Sequence, residues 1–266
     1  MWDKIGQVFG SSWDVHPTLL VAIGGLACIY VAGVFRGQRS GYRLSVGQGS
    51  LFAAAIVMLT LTLQSPLHHL ADRVFFSAHM IQHLILVMFV PPLLLLGTPD
   101  WLIRPLLDRR WVARLGRHRM YAVVAFVILN VPFTYVHLPA IYDTLFGSEL
   151  LHRITHMALL GMALITWLPM LSPLPDVLPR ISQPAQMLYA FAQTLPGALV
   201  GSLLTLTDQV LYKHYGTGPE QFGVSALTDQ QLGGLLMWVV GGTYWLVILT
   251  VIFFVWADRE QDRAYG

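Results

Sequence analysis

The sequence predicts an all-α integral membrane protein: a bundle of seven transmembrane helices, N-terminus outside and C-terminus inside. Composition, the lengths of the apolar stretches and the placement of basic residues carry that expectation. Hydrophobic residues make up 55% of the 266 and charged residues 11%, against roughly 25% charged in an ordinary soluble domain. A soluble chain of this length could not hide so much apolar surface. The net charge of +2 is too small and too scattered for a nucleic-acid partner, so the lipid bilayer is the expected surrounding.

A helix needs about 20 apolar residues to cross the hydrocarbon core, and about 17 can suffice. Seven stretches meet or approach that length: 17–35, 49–66, 76–97, 119–137, 151–171, 185–207 and 230–256. They read as a single membrane domain over 1–266, with no linker and no strong internal repeat. The first sixteen residues hold Asp3, Asp14 and only Lys4, so a cleaved signal peptide is not expected. The run 101–107 is too short to cross and reads as a helix at the interface. Pro91–Pro92 and Pro196–Gly197 fall inside spans, where neighbouring helices can satisfy the backbone groups that proline frees. Cys28 is the single cysteine, which excludes an internal disulfide and a CxxC motif. Its depth in the first span predicts a packed thiol.

Orientation follows from lysine and arginine in the loops. With the N-terminus outside, twelve basic residues fall inside: Arg36, Arg39, Arg43, Arg104, Arg109, Arg110, Arg114, Arg117, Arg119, Arg180, Arg259 and Arg263. Only Lys4, Arg73, Arg153 and Lys213 fall outside. This orientation sorts the ten histidines nine to one. His118, in a basic cluster, lies inside; His16, His68, His69, His79, His83, His137, His152, His156 and His214 lie outside. His16 and His214 read as interfacial or solvated.

Two histidine pairs carry the most information. Residues at i and i+4 share one helix face, and His79/His83 and His152/His156 each have that spacing. Spans three and five run in the same direction, so the four imidazoles occupy one depth band and converge if the spans are neighbours. A lone pair of this kind is more often packed or interfacial. Two pairs at matched depth favour a metal or haem site, because ionisable groups at membrane depth face a bundle interior or cavity. Imidazole suits copper and zinc, and thioether sulfur favours Cu(I). His68, His69 and His137 are further candidates, and Met80, Met157 and Met237 are candidate soft partners. Asp229 opens span seven in Thr228–Asp229–Gln230–Gln231, which reads as a helix N-cap segment with Gln at N3; alternatively Asp229 is a carboxylate ligand or a partner of a histidine. Asp72 could serve a histidine in the same way but reads more readily as a solvated loop acid, and Glu149 as favouring the start of span five electrostatically.

These residues also fall into blocks. Ser65–Pro66–Leu67 through Phe76–Ser77–Ala78–His79–Met80–Ile81–Gln82–His83 is followed by Pro91–Pro92 and Gly97–Thr98–Pro99. Then come His152 and His156 with Trp167–Leu168–Pro169, Leu195–Pro196–Gly197, and Leu227 through Trp238. Over roughly 50–245 the chain resembles the polytopic CtaG family of cytochrome c oxidase assembly factors. The resemblance implies a multi-pass protein of the bacterial cytoplasmic membrane that is not an enzyme. It implies that copper, as Cu(I) or Cu(II), is received on the non-cytoplasmic side and passed to the haem–copper oxidase subunit that carries a copper centre. A soluble copper donor is a further candidate partner.

The histidine arithmetic alone supports only a metal or haem, so two rivals stand behind copper. A seven-span zinc hydrolase would need an open water position and a carboxylate base. The His-x-x-x-His pairs lack the internal Glu of a His-Glu-x-x-His motif. A haem-binding electron carrier would take axial histidines from spans three and five. A copper permease would need a polar path inward, and the inner halves of spans three and five are apolar.

Overall fold

The computed structural model describes residues 17–265, with their side chains apart from those of Glu149, Ala264 and Tyr265. Among the described residues every regular element is helical. His16, Lys4 and the Glu149 side chain therefore lie outside what is described. The elements are α1 (Pro17–Arg39), α2 (Val46–Gln64), α3 (Pro66–Arg73) and α4 (Phe76–Gly97). After these come α5 (Asp100–Leu107), α6 (Arg110–Gly116), α7 (Tyr121–Val136), α8 (Pro139–Phe146), α9 (Glu149–Leu171) and α10 (Gln183–Leu206). The last, α11, runs from Ala226–Leu235 through a π segment, Leu236–Val240, into Gly241–Tyr265.

Six of these helices are long and apolar enough to cross a membrane: α1, α2, α4, α9, α10 and α11. α6 and α7 become a seventh if they are taken as one span bent by 92°. The fourth expected span, 119–137, thus arrives as a 16-residue helix after a sharp turn at Arg117–Met120. The second ends earlier than expected. Ser65 is extended, caps the next helix through Leu67 N, and is followed by Pro66 at N1. Proline starts a helix readily and cannot continue the preceding one there, so His68 and His69 belong to the separate helix α3.

Packing sets which spans surround the outer histidines. α4 packs on α2, α9 and α11; α9 packs on α7; α7 packs on α10; and α10 packs on α11. These contacts close a ring of five spans, α4–α9–α7–α10–α11, with α2 outside α4 and α1 outside α2. α5 covers α1, with Leu102 against Gly33 and Trp101 against Gly37. Cys28 is exposed rather than packed.

The ring closes tightly where glycines face each other. A Cβ on Gly201 would lie 2.5 Å from the Gly234 carbonyl, and one on Gly234 would lie 2.6 Å from the Gly201 carbonyl. Such small-residue contacts let helices approach in lipid, where apolar burial gives little drive between them. Gly201→Val is expected to separate α10 from α11 and destabilise the protein by about 1–3 kcal/mol. Thermal melting in detergent checks this; a variant that melts with the wild type would show the contact to be dispensable.

Candidate metal centre

The rings of the two histidine pairs meet inside the five-span ring. Ligand atoms of His79, His83 and His156 all lie within 4.8 Å of one another, and all three residues are buried. Ring centroids are 3.9 Å apart for His79–His83, 5.4 Å for His79–His156 and 5.0 Å for His83–His156. His152 lies 4.4 Å from His156 and 5.6 Å from His79. His137, at the end of α7, stands 6.2 Å from His83.

What these rings lack is hydrogen-bond partners. Both nitrogens of His79, both of His83, and the Nε2 atoms of His137, His152 and His156 are buried without one. Leaving a buried donor or acceptor unsatisfied costs about 1–3 kcal/mol. Two of the five rings are held through their other nitrogen. His152 Nδ1 lies 2.8 Å from the Asp72 carboxylate, and His137 Nδ1 lies 2.6 Å from the Phe133 carbonyl. That arrangement fixes the tautomer and leaves Nε2 free, as around many metal-binding histidines.

Asp72 is therefore more than a solvated acid. α3 carries it to His152, a consequence of the break at Ser65–Pro66 that periodicity alone did not reveal. Burial works to raise its carboxyl pKa, but the His152 hydrogen bond and the charges of His152, His68 and His214 outweigh it. The value ends below the ordinary carboxylate range. The ionised form thus stabilises the fold at neutral pH, a contribution lost as pH falls through that lowered value.

Asp229 has a different place from either reading of the sequence. The N-cap of α11 is Ser225, whose hydroxyl accepts from Thr228 N. Asp229 instead reaches α4, whose own N-cap position, Phe75, offers no side-chain cap. Its carboxylate accepts from Phe76 N (2.6 Å), Ser77 N (3.3 Å) and the Ser77 hydroxyl. A carboxylate there also sits at the positive end of the helix. The next two residues hold the loop after α10: Gln230 Oε1 accepts from Leu211 N, and Gln231 Nε2 donates to Thr207 O.

The remaining candidates divide. His68 is buried beside the group, and its Nδ1 lies 3.0 Å from Gln82 Nε2, which donates to Thr62 O. His69 is half-buried on the adjacent face of α3. Met80 and Met237 are buried and pack in one cluster, whereas Met157 is 46% exposed and faces away. His214 is exposed, its Nε2 2.9 Å from the Asp72 carbonyl; His118 is exposed.

Aromatic rings cover the group. Phe146 lies 4.8 Å from His79 and 4.2 Å from His152, ring to ring. Tyr142 and Tyr215 share a hydrogen bond of 2.9 Å, and the Tyr212 hydroxyl donates to His137 O. Burial is the chief reason the Tyr142 and Tyr215 hydroxyls titrate well above the ordinary phenol value, so the cover stays neutral.

Beneath the histidines α7 and α10 share one buried polar contact. Asn130 Nδ2 donates to Gln193 Oε1 at 2.8 Å, both buried.

A multi-helix membrane protein enclosing a buried group of unpartnered histidines is the class that fold and site define. Residues 28–259 match the family described as cytochrome c oxidase caa3 assembly factor (Caa3_CtaG). The chain belongs to that family. It is 26% identical over 266 residues to an uncharacterized protein of Mycobacterium leprae, covering 89% of this chain and 40% of the relative. Uncharacterized proteins of Mycobacterium bovis and Mycobacterium tuberculosis are each 27% identical over 256 residues, covering 90% of this chain and 38% of theirs. The chain thus spans about two-fifths of the length of these curated relatives. No solved structure gives a significant match.

Asp229→Ala would leave the first amides of α4 unpaired, and a loss of about 1–3 kcal/mol is expected. Asp229→Asn keeps an acceptor and should lose less. Melting curves for the two variants check the order; equal curves for Asp229→Ala and wild type would remove the capping role.

Proposed function

We propose that the protein binds copper on the non-cytoplasmic side of the bacterial cytoplasmic membrane. It then helps deliver the copper to the haem–copper oxidase subunit that carries a copper centre. The observation that carries this reading is the buried group His79, His83 and His156, in which both nitrogens of His79 and His83 and Nε2 of His156 have no hydrogen-bond partner among the described residues. His152, oriented by Asp72, and His137, oriented by the Phe133 carbonyl, stand beside it as additional donors.

The donor set fits copper better than its rivals. Imidazole with nearby thioether suits copper in either oxidation state. The histidines are neutral donors and Asp72 is the carboxylate joined to them, so a low-charge ion such as Cu(I) leaves little charge uncompensated at membrane depth. A zinc hydrolase needs a carboxylate base over the metal-bound water. Asp72 and Asp229, the carboxylates beside the group, are engaged by His152 and by the start of α4. Exchangeable imidazole ligands suit a carrier that must release its cargo, and an assembly factor of an oxidase has such a cargo in the oxidase's copper centre.

Copper analysis of untagged protein tests the reading. His83→Ala and His156→Ala are each expected to reduce bound copper strongly while the protein stays folded and inserted. Asp72→Asn is expected to reduce affinity by about 10- to 100-fold, the scale for partners that orient ligands. His118→Ala is the control and should change nothing. Full copper binding by His83→Ala/His156→Ala would refute the assignment.

The orientation has its own test, motivated by the twelve-to-four basic asymmetry. Gln221 and Arg114 are both exposed. In a Cys28→Ser background, Gln221→Cys should label from outside intact cells and Arg114→Cys only after permeabilisation. External labelling of Arg114→Cys would invert the topology and place the histidines in the cytoplasm.

A further inference from the structure

Directly beneath the histidines the five-span ring encloses a cavity of about 50 Å³, bordered by Met80, His83, Met88, Asn130, Gln193 and Met237 among others. A single water needs about 10–15 Å³ by a comparable measure, so the space holds more than one water or a small ion. Methionine usually serves as an adaptable filler of irregular cores, and that bland role has to be weighed first. Here, however, three methionines border a space that they do not fill. His83 belongs both to the histidine group and to the cavity wall, with neither ring nitrogen hydrogen-bonded. Gln193 Nε2, also buried, has no partner either.

The backbone around the cavity is irregular as well. α4 carries a π segment at Ile85–Phe89 and α11 one at Leu236–Val240. π segments give up regular helical hydrogen bonding and are frequent at functional sites. Met88 lies in the first and Met237 in the second, while Met80 sits one turn above the first.

We infer that this chamber is a second copper(I) position, adjoining the histidine group, in which the thioethers of Met80 and Met237 act with His83. The inference rests on the copper reading above and deepens it. Copper would pass between the positions by ligand exchange. Bonds to the His79 and His156 nitrogens break as bonds to the two sulfurs form, and the His83 bond is kept. The ion stays Cu(I), so no electron, proton or co-reactant is needed. Soft thioether ligands select Cu(I), so Cu(II) remains with the imidazoles.

The test uses the full untagged chain in a Cys28→Ser background, so that thioethers are the protein's only sulfurs. It is loaded anaerobically with one equivalent of Cu(I), or in air with one of Cu(II). X-ray absorption of the Cu(I) form is expected to show a copper–sulfur shell. Met80→Leu/Met237→Leu, close in volume to wild type, is expected to lose that shell. It should also lower Cu(I) affinity in a chelator competition by about tenfold or more, the scale at which even indirect partners act. Its Cu(II) resonance spectrum should not change, and Met157→Leu should behave as the parent. A Cu(I) form with nitrogen scattering alone, or a double variant that keeps its sulfur shell, overturns the chamber and leaves the histidine site standing. Failure of the parent to bind either ion overturns both.

Discussion

The outer half of this bundle is organised around imidazoles buried without partners. Seven ring nitrogens from five histidines lack a hydrogen bond: two each from His79 and His83, and one each from His137, His152 and His156. At about 1–3 kcal/mol apiece, they would together match the whole net stability of a typical domain, about 5–15 kcal/mol. A core histidine retained for packing normally finds a carbonyl or hydroxyl, as His137 does with one of its nitrogens. Five histidines leaving seven ring nitrogens unmet within the described protein is the constraint on which the outer half turns. The neighbouring features fit that constraint. Asp72 aims His152, Asp229 fixes the start of the helix that carries His79 and His83, and the aromatic cover keeps bulk water from competing.

Two prolines show how sequence becomes cavity. Pro91 and Pro92 lack the N–H groups that would bond the carbonyls four residues back, those of Val87 and Met88. In the bundle the Trp167 indole donates to Val87 O at 2.9 Å, and the Tyr244 hydroxyl donates to Met88 O. Both donors are long side chains from other spans, so the break in α4 is also a tie to α9 and α11. The π segment lies immediately before the prolines and turns Met88 to the chamber. A kink that a sequence reader would file as structural therefore shapes the space beside the histidines.

Much of this was legible in the sequence because it depends on length and spacing. Apolar runs located six membrane-length helices, and the i, i+4 pairs predicted a convergence that the ring distances bear out. What was not legible depends on partners distant in the chain. Asp229 looked like a local cap because Thr228–Asp229–Gln230–Gln231 has the form of one. Its actual partners lie some 150 residues earlier. Asp72 read more readily as a solvated loop acid than as a partner of a histidine, because the second span ended at Ser65–Pro66 with no helix expected after it. A Ser–Pro pair at the end of an apolar run is the signal that could have exposed α3. The Asn130–Gln193 pair joins two spans that carry no histidine pair, so the histidine spacing does not point to it. A buried amide in each of two apolar spans was the available clue.

The block around Asp229 extends this lesson to the site itself. Its three consecutive polar residues contribute no side chain to the histidine group, yet each fastens something that borders it. Asp229 holds α4, while Gln230 and Gln231 hold the loop that supplies Tyr212 and Tyr215 to the cover. The five histidines come from three spans, and the cover comes from a short helix and a loop outside the five-span ring. Apolar packing alone holds such parts weakly in lipid, where helices gain little by leaving the hydrocarbon. Buried hydrogen bonds from one short segment to α4 and to the loop supply the missing order. Span three, span seven and the covering loop are thus joined through one short polar segment, Asp229–Gln230–Gln231.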